Sequence, residues 1–250
     1  MTHPLIIIGA GLAGWTTARE FRKLDTTTPV VVISADRGDF YAKPSLSNAF
    51  AQGRAPAQLV STAAVKMVET LNVTLHANTR VDAINPQTRT ITTSKGEFSY
   101  SQLVLATGAQ PIRVPVAGDA TDQVQSINSL DDFSEFHARL TGVSRYENGS
   151  GPRPTTHNKK HVLIMGAGLI GCEFANDLAA SGYRVTVVDP STGPIAALLP
   201  AEASAQLRKA LAALGVTWHF GATVKSLNRA VINSENTGAD PEAPALQVEL

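Results

Sequence analysis

The chain has 250 residues, enough for one large domain or two ordinary ones, and its 43% hydrophobic content is typical of a globular protein. Its 21 basic and 21 acidic residues cancel, so charge gives no reason to expect nucleic acid or an anionic membrane as a partner. No apolar stretch approaches the ~18 residues that a membrane span needs, and the first residues are unlike a signal peptide.

The first part of the chain is predicted to form a β-strand, an α-helix and a second β-strand. Residues 4–8 are an apolar run before a glycine turn, which predicts a buried parallel strand. Residues 12–24 have apolar side chains at helical spacing and end in basic residues, and residues 30–33 are β-branched. Further along we predict a helix over 56–71, short strands within 73–93 and a buried strand over 103–107.

A second unit of the same type follows a polar stretch. Residues 144–160 are rich in glycine and proline without periodicity, which predicts a flexible loop. Beyond this loop we predict strand 161–165, helix 169–181, strand 184–188, helix 201–214 and strand 216–220. Alternating strands and helices predict an α/β protein.

Each unit carries the same glycine pattern between its first strand and its helix. In G-x-G-x-x-G, the first glycine permits the tight turn, the second lets the backbone approach a pyrophosphate, and the third lets helix and strand pack closely. The helix N-terminus offers free N–H groups to the phosphates. Two such patterns predict two dinucleotide sites, although each could be a glycine turn with a packing role only. The first pattern comprises Gly9, Ala10, Gly11, Leu12, Ala13 and Gly14, and the second includes Gly166, Gly168, Leu169, Ile170 and Gly171.

A carboxylate follows each pattern at about the 20-residue distance expected of a ribose ligand. Asp36 follows the first, and Ser34 and Ala35 could share its role. Asp189 follows the second, where a carboxylate accepts the ribose hydroxyls of NAD and repels the 2′-phosphate of NADP. We therefore favour NADH, the alternative being a solvated aspartate at a strand end.

Three further residues have both a functional and a structural interpretation. Lys43 is either an ordinary surface lysine or a cation that stabilises negative charge on a reduced flavin. Glu173 is predicted on the first turn of the second helix, as a site residue or a carboxylate favoured by the helix dipole. Cys172, the single cysteine, is either reactive or a small packed residue, and one cysteine cannot form a disulfide within the chain. A chain without an internal disulfide fits a reducing compartment, so we expect a cytoplasmic protein. The histidines show no metal-ligand spacing, so we expect no metal site.

With these motifs, the chain resembles the two-dinucleotide flavoprotein reductases related to glutathione reductase and, more narrowly, the bacterial rubredoxin reductases. The resemblance implies two Rossmann-like domains of the three-layer ββα type, an FAD domain over 1–112 and an incomplete NADH domain over 113–250. Because chains of this family are longer, we expect a chain truncated at its C-terminus. The resemblance rests on both glycine patterns, on Leu105-Ala-Thr-Gly-Ala109, on Tyr41-x-Lys-Pro-x-Leu-Ser47 and on the run from Gly168 to Leu178.

The same resemblance implies roles for individual residues. Lys43 would lie near N5 of the flavin and pair with Glu173 across the two domains. Val81 would meet the adenine through its backbone. The FAD would also be contacted by Ala106, Thr107 and Gly108.

The activity implied by the resemblance is hydride transfer from NADH to FAD, followed by transfer of single electrons to rubredoxin. Relatives that reduce disulfides need a cysteine pair near the flavin, and relatives that reduce peroxide need one cysteine after Lys43, where Ser45 and Ser47 stand. Direct electron transfer to a metalloprotein is therefore expected. The alternatives are an NADH-dependent reductase of ferredoxin or flavorubredoxin, and a non-catalytic dinucleotide-binding fragment.

Overall fold

The computed structural model describes residues 3–142, 160–230 and 246–250. Except for Lys160, the loop predicted over 144–160 lies outside the described residues. Of the helices in these ranges, none combines the length and the apolar character that a membrane crossing needs.

The chain divides into two compact units. The first comprises Met1–Ala42 and Ala57–Gln110, and the second comprises Lys43–Pro56 and Pro111–Leu250. The main break falls near residue 110, and the domain bounds expected from the sequence, 1–112 and 113–250, stay a prediction. The segment Lys43–Pro56, which the sequence-based division assigned to the first domain, groups instead with the second unit.

The first unit contains a parallel four-stranded sheet and an antiparallel three-stranded sheet. The parallel sheet has the strand order β3-β2-β1-β7, and the antiparallel sheet has the order β4-β5-β6. In chain order the elements are β1 (Leu5–Ile8), α1 (Leu12–Leu24), β2 (Val30–Ile33), α2 (Ala64–Leu71), β3 (Thr74–His76), β4 (Val81–Asn85), β5 (Thr90–Thr93), β6 (Gly96–Ser99) and β7 (Gln102–Leu105).

The core of this unit has three layers, because every side chain of β1 is buried on one face or the other. Successive residues of a strand point to opposite faces. Leu5 and Ile7 pack against Trp15 of α1, whereas Ile6 packs against Ile91 of β5. The parallel sheet therefore lies between the helices and the antiparallel sheet, as predicted for a three-layer ββα domain.

The predicted helix over 56–71 is wrong in its first half. Its first four residues form a 3₁₀ turn, and α2 begins only at Ala64. The reason is an isolated β-bridge between Phe40 and Thr62, which takes the chain out of helical conformation. Asp39 Oδ1 then accepts a hydrogen bond of 2.9 Å from the Ala64 N–H and fixes the start of the helix.

The strand predicted over 103–107 exists, but it is shorter and less buried than expected. The structure has β7 over Gln102–Leu105, and Leu105 is 64% exposed. Among the described strands, β7 forms the edge of the parallel sheet and has one neighbour, β1. An apolar run alone does not distinguish such an edge strand from a central one.

The second unit is built on a parallel three-stranded sheet of order β10-β9-β8, with a separate antiparallel pair, β11 and β12. Leu178 of α4 packs against Val185 and Val187 of β9, and Phe136 of α3 packs against the same cluster. The predicted strands and helices of this part are confirmed to within about two residues, and α3 is an element that was not predicted. The elements are α3 (Leu130–Thr141), β8 (His161–Met165), α4 (Leu169–Ala180), β9 (Arg184–Asp189), α5 (Ala201–Ala213), β10 (Thr217–Phe220), β11 (Ser226–Arg229) and β12 (Leu246–Glu249).

Candidate dinucleotide-binding sites

In the first unit, three groups of predicted site residues lie at one edge of the parallel sheet. The segment 9–14 follows β1, the segment 34–36 follows β2, and the segment 106–108 follows β7. These three strands are neighbours and run parallel, so their carboxyl ends meet at the same edge. Ligands of open α/β sheets bind outside the carboxyl ends of the strands, at the topological switch point where the strand order reverses.

The three glycines of the first pattern are needed for different physical reasons. Gly9 has φ +107°, and a Cβ there would collide with the backbone carbonyl of Ala106. A Cβ at Gly14 would collide with the carbonyl of Gly9. A Cβ at Gly11 would meet no atom within 4 Å. Space is therefore left beside Gly11, and a phosphate fits there against the bare backbone.

The N-terminus of α1, which follows this loop, has no acidic side chain of its own. Gly11 is the N-cap of α1, no side chain caps the helix, and no acidic residue stands in its first turn. Leu12 and Ala13 are exposed at the helix start. The first N–H groups of α1 can therefore bind an external anion such as a pyrophosphate.

The polar side chains after β2 are connected by hydrogen bonds. Asp36 Oδ1 accepts from Ser34 Oγ at 2.6 Å and from the Gly38 N–H at 2.9 Å. Within the described part of the chain, no group donates to Asp36 Oδ2, and Asp36 is exposed. The Thr79 N–H donates to the Ser34 carbonyl at 2.7 Å, two residues before Val81. Asp36 Oδ2 can thus accept a ribose hydroxyl at this edge, with Val81 close along the chain.

The second glycine pattern repeats the geometry of the first. Gly166 also has φ +107°, and a Cβ at Gly171 would collide with the carbonyl of Gly166. A Cβ at Gly166 or at Gly168 would meet no atom within 4 Å. This loop therefore also leaves space at its second glycine for a phosphate.

Helix α4 begins at this second loop and offers its free N–H groups to the same space. Gly168 is its N-cap, without a side-chain cap, and Leu169 and Ile170 are 55% and 65% exposed. The prediction that Glu173 lies on the first turn of this helix is wrong, because α4 starts at Leu169 and its first turn holds no acidic residue. Glu173 therefore lies in the second turn and leaves the helix N-terminus free for an anion.

Asp189 ends β9 and ties the second loop to that strand. Its Oδ2 accepts from the Ala167 N–H at 2.6 Å, and its Oδ1 accepts from the Ser191 N–H at 2.7 Å. Burial acts to raise the pKa of Asp189, but these hydrogen bonds outweigh it and hold the pKa below its ordinary value. Asp189 is thus a charged residue at the strand end, and each oxygen keeps a lone pair for a ribose hydroxyl.

Glu173 is joined to the segment 43–56, within the second unit. Ser47 Oγ donates to Glu173 Oε2 over 2.5 Å, and Ser47 is buried whereas Glu173 is exposed. Ser47 belongs to a 3₁₀ turn, Lys43–Asn48, that packs against α4. Sequence reasoning considered Ser47 only as a position without a cysteine, and its contact with Glu173 was missed.

Lys43 starts the same 3₁₀ turn and has a different partner. Its Nζ donates to Asn128 Oδ1 over 3.3 Å, just before α3, and no ion pair joins Lys43 to Glu173 among the described residues. Asn128 was also missed as a candidate, because no local pattern in the sequence connects it to Lys43, 85 residues earlier.

Cys172 is a packed residue with little reactivity. It is 5% exposed, and its Sγ lies 3.4 Å from the carbonyl oxygen of Ala167. Burial and the charge of Asp189 raise the pKa of the thiol to about 11. The interpretation of Cys172 as a small structural residue is the one that the structure supports.

The sequence profile of the pyridine nucleotide-disulphide oxidoreductase family matches residues 3–244. The chain belongs to this family. Membership agrees with the two parallel sheets and the repeated glycine loops.

Among family members, the chain is similar to rubredoxin-NAD(+) reductases of two bacteria. It is 42% identical over 231 residues to that of Acinetobacter baylyi and 40% identical over 226 residues to that of Alcanivorax borkumensis. These alignments cover 91% and 90% of the chain and 55% of each relative. The chain thus spans about half the length of the curated relatives that it matches.

Solved structures of two reductases have a similar fold. A ferredoxin reductase for the CYP199A2 system of Rhodopseudomonas palustris is 26% identical, with a TM-score of 0.76 over 93% of this chain and 53% of that one. A putidaredoxin reductase, solved in complex with putidaredoxin, is 23% identical, with a TM-score of 0.77 over 91% of this chain and 52% of that one.

Proposed function

We propose that this chain is the FAD- and NADH-binding part of a cytoplasmic flavoprotein that passes electrons from NADH to rubredoxin. The observation that carries the proposal is the repeated glycine loop, whose second glycine faces open space before an uncapped helix in each unit. The 40% and 42% identity to rubredoxin-NAD(+) reductases supports the choice of electron acceptor. The single cysteine supports a reducing compartment.

In the first unit, the residues present fit an FAD. The backbone at Gly11 and the N–H groups that open α1 would hold the pyrophosphate. Asp36 would accept ribose hydroxyls through its Oδ2, because Oδ1 is already bonded to Ser34 and Gly38. The exposed residues after β7 would line the same edge, namely Thr107 and Gly108, with Ala106 partly buried beside Gly9.

In the second unit, the residues present fit an NADH. The backbone at Gly168 and the N–H groups that open α4 would hold its pyrophosphate. Asp189, with its pKa held below the ordinary value, stays ionised at neutral pH and would accept two ribose hydroxyls. The same charge would repel the extra phosphate of NADPH, which supports NADH as the donor.

When bound, the two cofactors supply hydride transfer from the nicotinamide to the flavin and release of single electrons to a metal centre. This chemistry needs position and electrostatics from the protein more than an acid or a base. Glu173 presents a carboxylate one turn beyond the proposed phosphate loop, and its orientation is fixed by Ser47. The expectation that Lys43 stabilises charge on the reduced flavin, and pairs with Glu173, stays a prediction.

The proposal is tested by the visible absorption of the purified chain, followed by addition of NADH without oxygen. We expect a flavin spectrum that bleaches on addition of NADH. A Gly168→Ala variant should keep the flavin spectrum but need a higher NADH concentration for bleaching, because its Cβ occupies the proposed phosphate space. A chain that binds neither FAD nor NADH would contradict the proposal.

The electron acceptor is tested separately with carrier proteins. We expect NADH-dependent reduction of cytochrome c to need rubredoxin and to be slower with ferredoxin or with flavorubredoxin. Equal rates with ferredoxin would overturn the choice of rubredoxin, while binding of both dinucleotides without turnover would favour a non-catalytic binding fragment.

A further inference from the structure

Two carboxylates on one face of α4 hold the segment 43–56. Glu173 and Asp177 are four residues apart, so they project from the same side of the helix one turn from each other. Glu173 Oε2 accepts from Ser47 Oγ at 2.5 Å. Asp177 accepts from the backbone N–H groups of Phe50 at 2.9 Å and of Ala51 at 2.7 Å. The two side chains thus hydrogen-bond to the segment at neighbouring residues.

Asp177 is the more buried of the two, and its hydrogen bonds compensate for its burial. It is 1% exposed, so burial raises its pKa, while the bonds from Ala51, Phe50 and Ala49 act in the opposite direction. An aspartate buried without partners would be strongly destabilising. The N–H groups of two successive residues donate to this carboxylate, which therefore fixes the backbone there and not merely one side chain.

The ring of Phe50 also holds this backbone, through contacts with other aromatic rings. Its centroid lies between 5.2 and 5.7 Å from four other rings of the second unit, and all four pairs are stacked or edge-on. Such pairs add to the stability gained from burial. The four rings belong to Phe133, Phe136, His137 and Tyr183. The ring contacts and Asp177 thus both hold the chain three residues after Ser47.

We propose that Asp177 is a positioning residue for Glu173. By holding residues 49–51, Asp177 places the Ser47 hydroxyl against Glu173 and so fixes the orientation of the Glu173 carboxylate beside the dinucleotide loop. The functional part of this inference rests on the proposed function, because it assumes that Glu173 faces bound NADH. The structural link from Asp177 through Ser47 to Glu173 can be tested without any cofactor.

The cofactor-free test compares the carboxyl ¹³C resonance of Glu173 in three variants. Ser47→Ala removes the hydrogen bond directly, and we expect Asp177→Asn to move the Glu173 resonance in the same direction. Asn176→Ala, an exposed neighbour on the same helix, should leave the resonance unchanged. If Asp177→Asn speeds amide exchange at residues 49–51 but leaves the Glu173 resonance in place, Asp177 is only a structural anchor and the proposal is wrong.

The functional test is a double-variant cycle on the rate of flavin reduction by NADH. Each single variant, Ser47→Ala or Asp177→Asn, should lower this rate about three- to tenfold, the range expected for one lost hydrogen bond. The double variant should be no slower than either single variant, because both act through the same bond. Additive losses, or an unchanged rate in Asp177→Asn, would overturn the proposal.

The two tests distinguish failure of the proposed function from failure of the positioning role. If NADH does not reduce a flavin bound to the unmodified chain, the proposed function fails, and the resonance comparison still decides whether Asp177 positions Glu173. If Asp177→Asn does not fold, Asp177→Ser keeps a hydrogen-bond acceptor in a smaller side chain. That variant is then held to the same two expectations.

Discussion

Ser47 and Glu173 are 126 residues apart in the chain, yet the Ser47 hydroxyl donates to the Glu173 carboxylate over 2.5 Å. This bond connects two motifs that the sequence presents separately, the stretch around Lys43 and the helix after the second glycine loop. Both residues lie in the second unit. Because of this bond, Oε2 of Glu173 already has a hydrogen-bond donor. Towards a nicotinamide, Glu173 can therefore offer Oε1 and the second lone pair of Oε2.

Gly11 and Gly14 form a matched pair for testing the first dinucleotide site. Gly11 has φ −79°, which alanine adopts freely, and its Cβ would meet no atom. We expect Gly11→Ala to change the free energy of unfolding by less than ~1 kcal/mol. The same methyl group occupies the space proposed for the pyrophosphate, so FAD should bind at least about tenfold more weakly, as fluorescence titration would measure.

Gly14→Ala, unlike Gly11→Ala, should lower the free energy of unfolding. Its Cβ would collide with the backbone carbonyl of Gly9, which cannot move aside as a flexible side chain could. We expect a loss of at least about 2 kcal/mol in urea unfolding, measured without FAD. Wild-type FAD affinity in Gly11→Ala would contradict the assignment of this space to a phosphate.

The parts of the fold that follow from local pattern were predictable from the sequence. Both strand-loop-helix units were predicted because glycine spacing and apolar runs are properties of neighbouring residues. The helix α3 was missed although Ser129 and Asp132 form a capping box, a start signal that stands in the sequence. The apolar residues of α3 also recur at helical spacing, namely Leu130, Phe133, Phe136 and Leu140, so both its periodicity and its cap were signals present in the sequence.

The contacts of the candidate site were less predictable, because they join distant parts of the chain. Asp177 bonds to Phe50 and Ala51 from more than 100 residues away, and no local pattern encodes that pairing. The exposure of Leu105 likewise depends on β7 being an edge strand, which is a property of the whole sheet. Sequence reasoning therefore named Glu173 but not the residues that hold it.

Asp189 should make the stability of the chain depend on pH. Its pKa is lower in the folded chain than in an unfolded one, so the folded state gains stability from the charged form. This contribution is complete above the ordinary aspartate pKa of about 3.9 and is lost as the pH falls through the lower folded value. We expect Asp189→Asn to be less stable than the wild type by about 1 kcal/mol at pH 7.

The difference should shrink as the pH falls below about 4. Urea unfolding of both proteins between neutral and acidic pH measures it. Glu69→Gln is the control, since the Glu69 side chain is 61% exposed and its loss should have little effect at either pH. A difference between Asp189→Asn and wild type that grows towards acidic pH would contradict the assigned direction of the pKa shift.

Arg22 should contribute more to stability than its position near a helix end suggests. Its guanidinium donates to the carbonyls of Leu71, Asn72, Asp25 and Thr28 at 2.8 to 3.1 Å. The bonds join the end of α1 to the end of α2 and to the turn before β2. We expect Arg22→Ala to destabilise the chain by about 2 to 3 kcal/mol, since several charge-assisted bonds are lost together.

The adjacent residue offers the control for Arg22. Within the described ranges, Lys23 pairs with Glu20 alone, both side chains being more than half exposed, so Lys23→Ala should cost less than about 0.5 kcal/mol. Arg22→Lys should recover only part of the loss, because an ammonium group cannot reach four carbonyls in a planar fork. Equal unfolding midpoints for Arg22→Ala and Lys23→Ala would show that the four bonds contribute nothing measurable.

Cys172 should resist alkylation as long as the chain is folded. Its thiol is 5% exposed, and its pKa of about 11 leaves only about one thiolate in a thousand at pH 8. We expect iodoacetamide to label the native chain slowly and the chain in urea at once, with mass spectrometry as the readout. In Asp189→Asn labelling should stay slow, because burial is the larger cause of the raised pKa. Stoichiometric labelling of the native chain within minutes would instead mean that the start of α4 opens readily and that Cys172 is a reactive thiol.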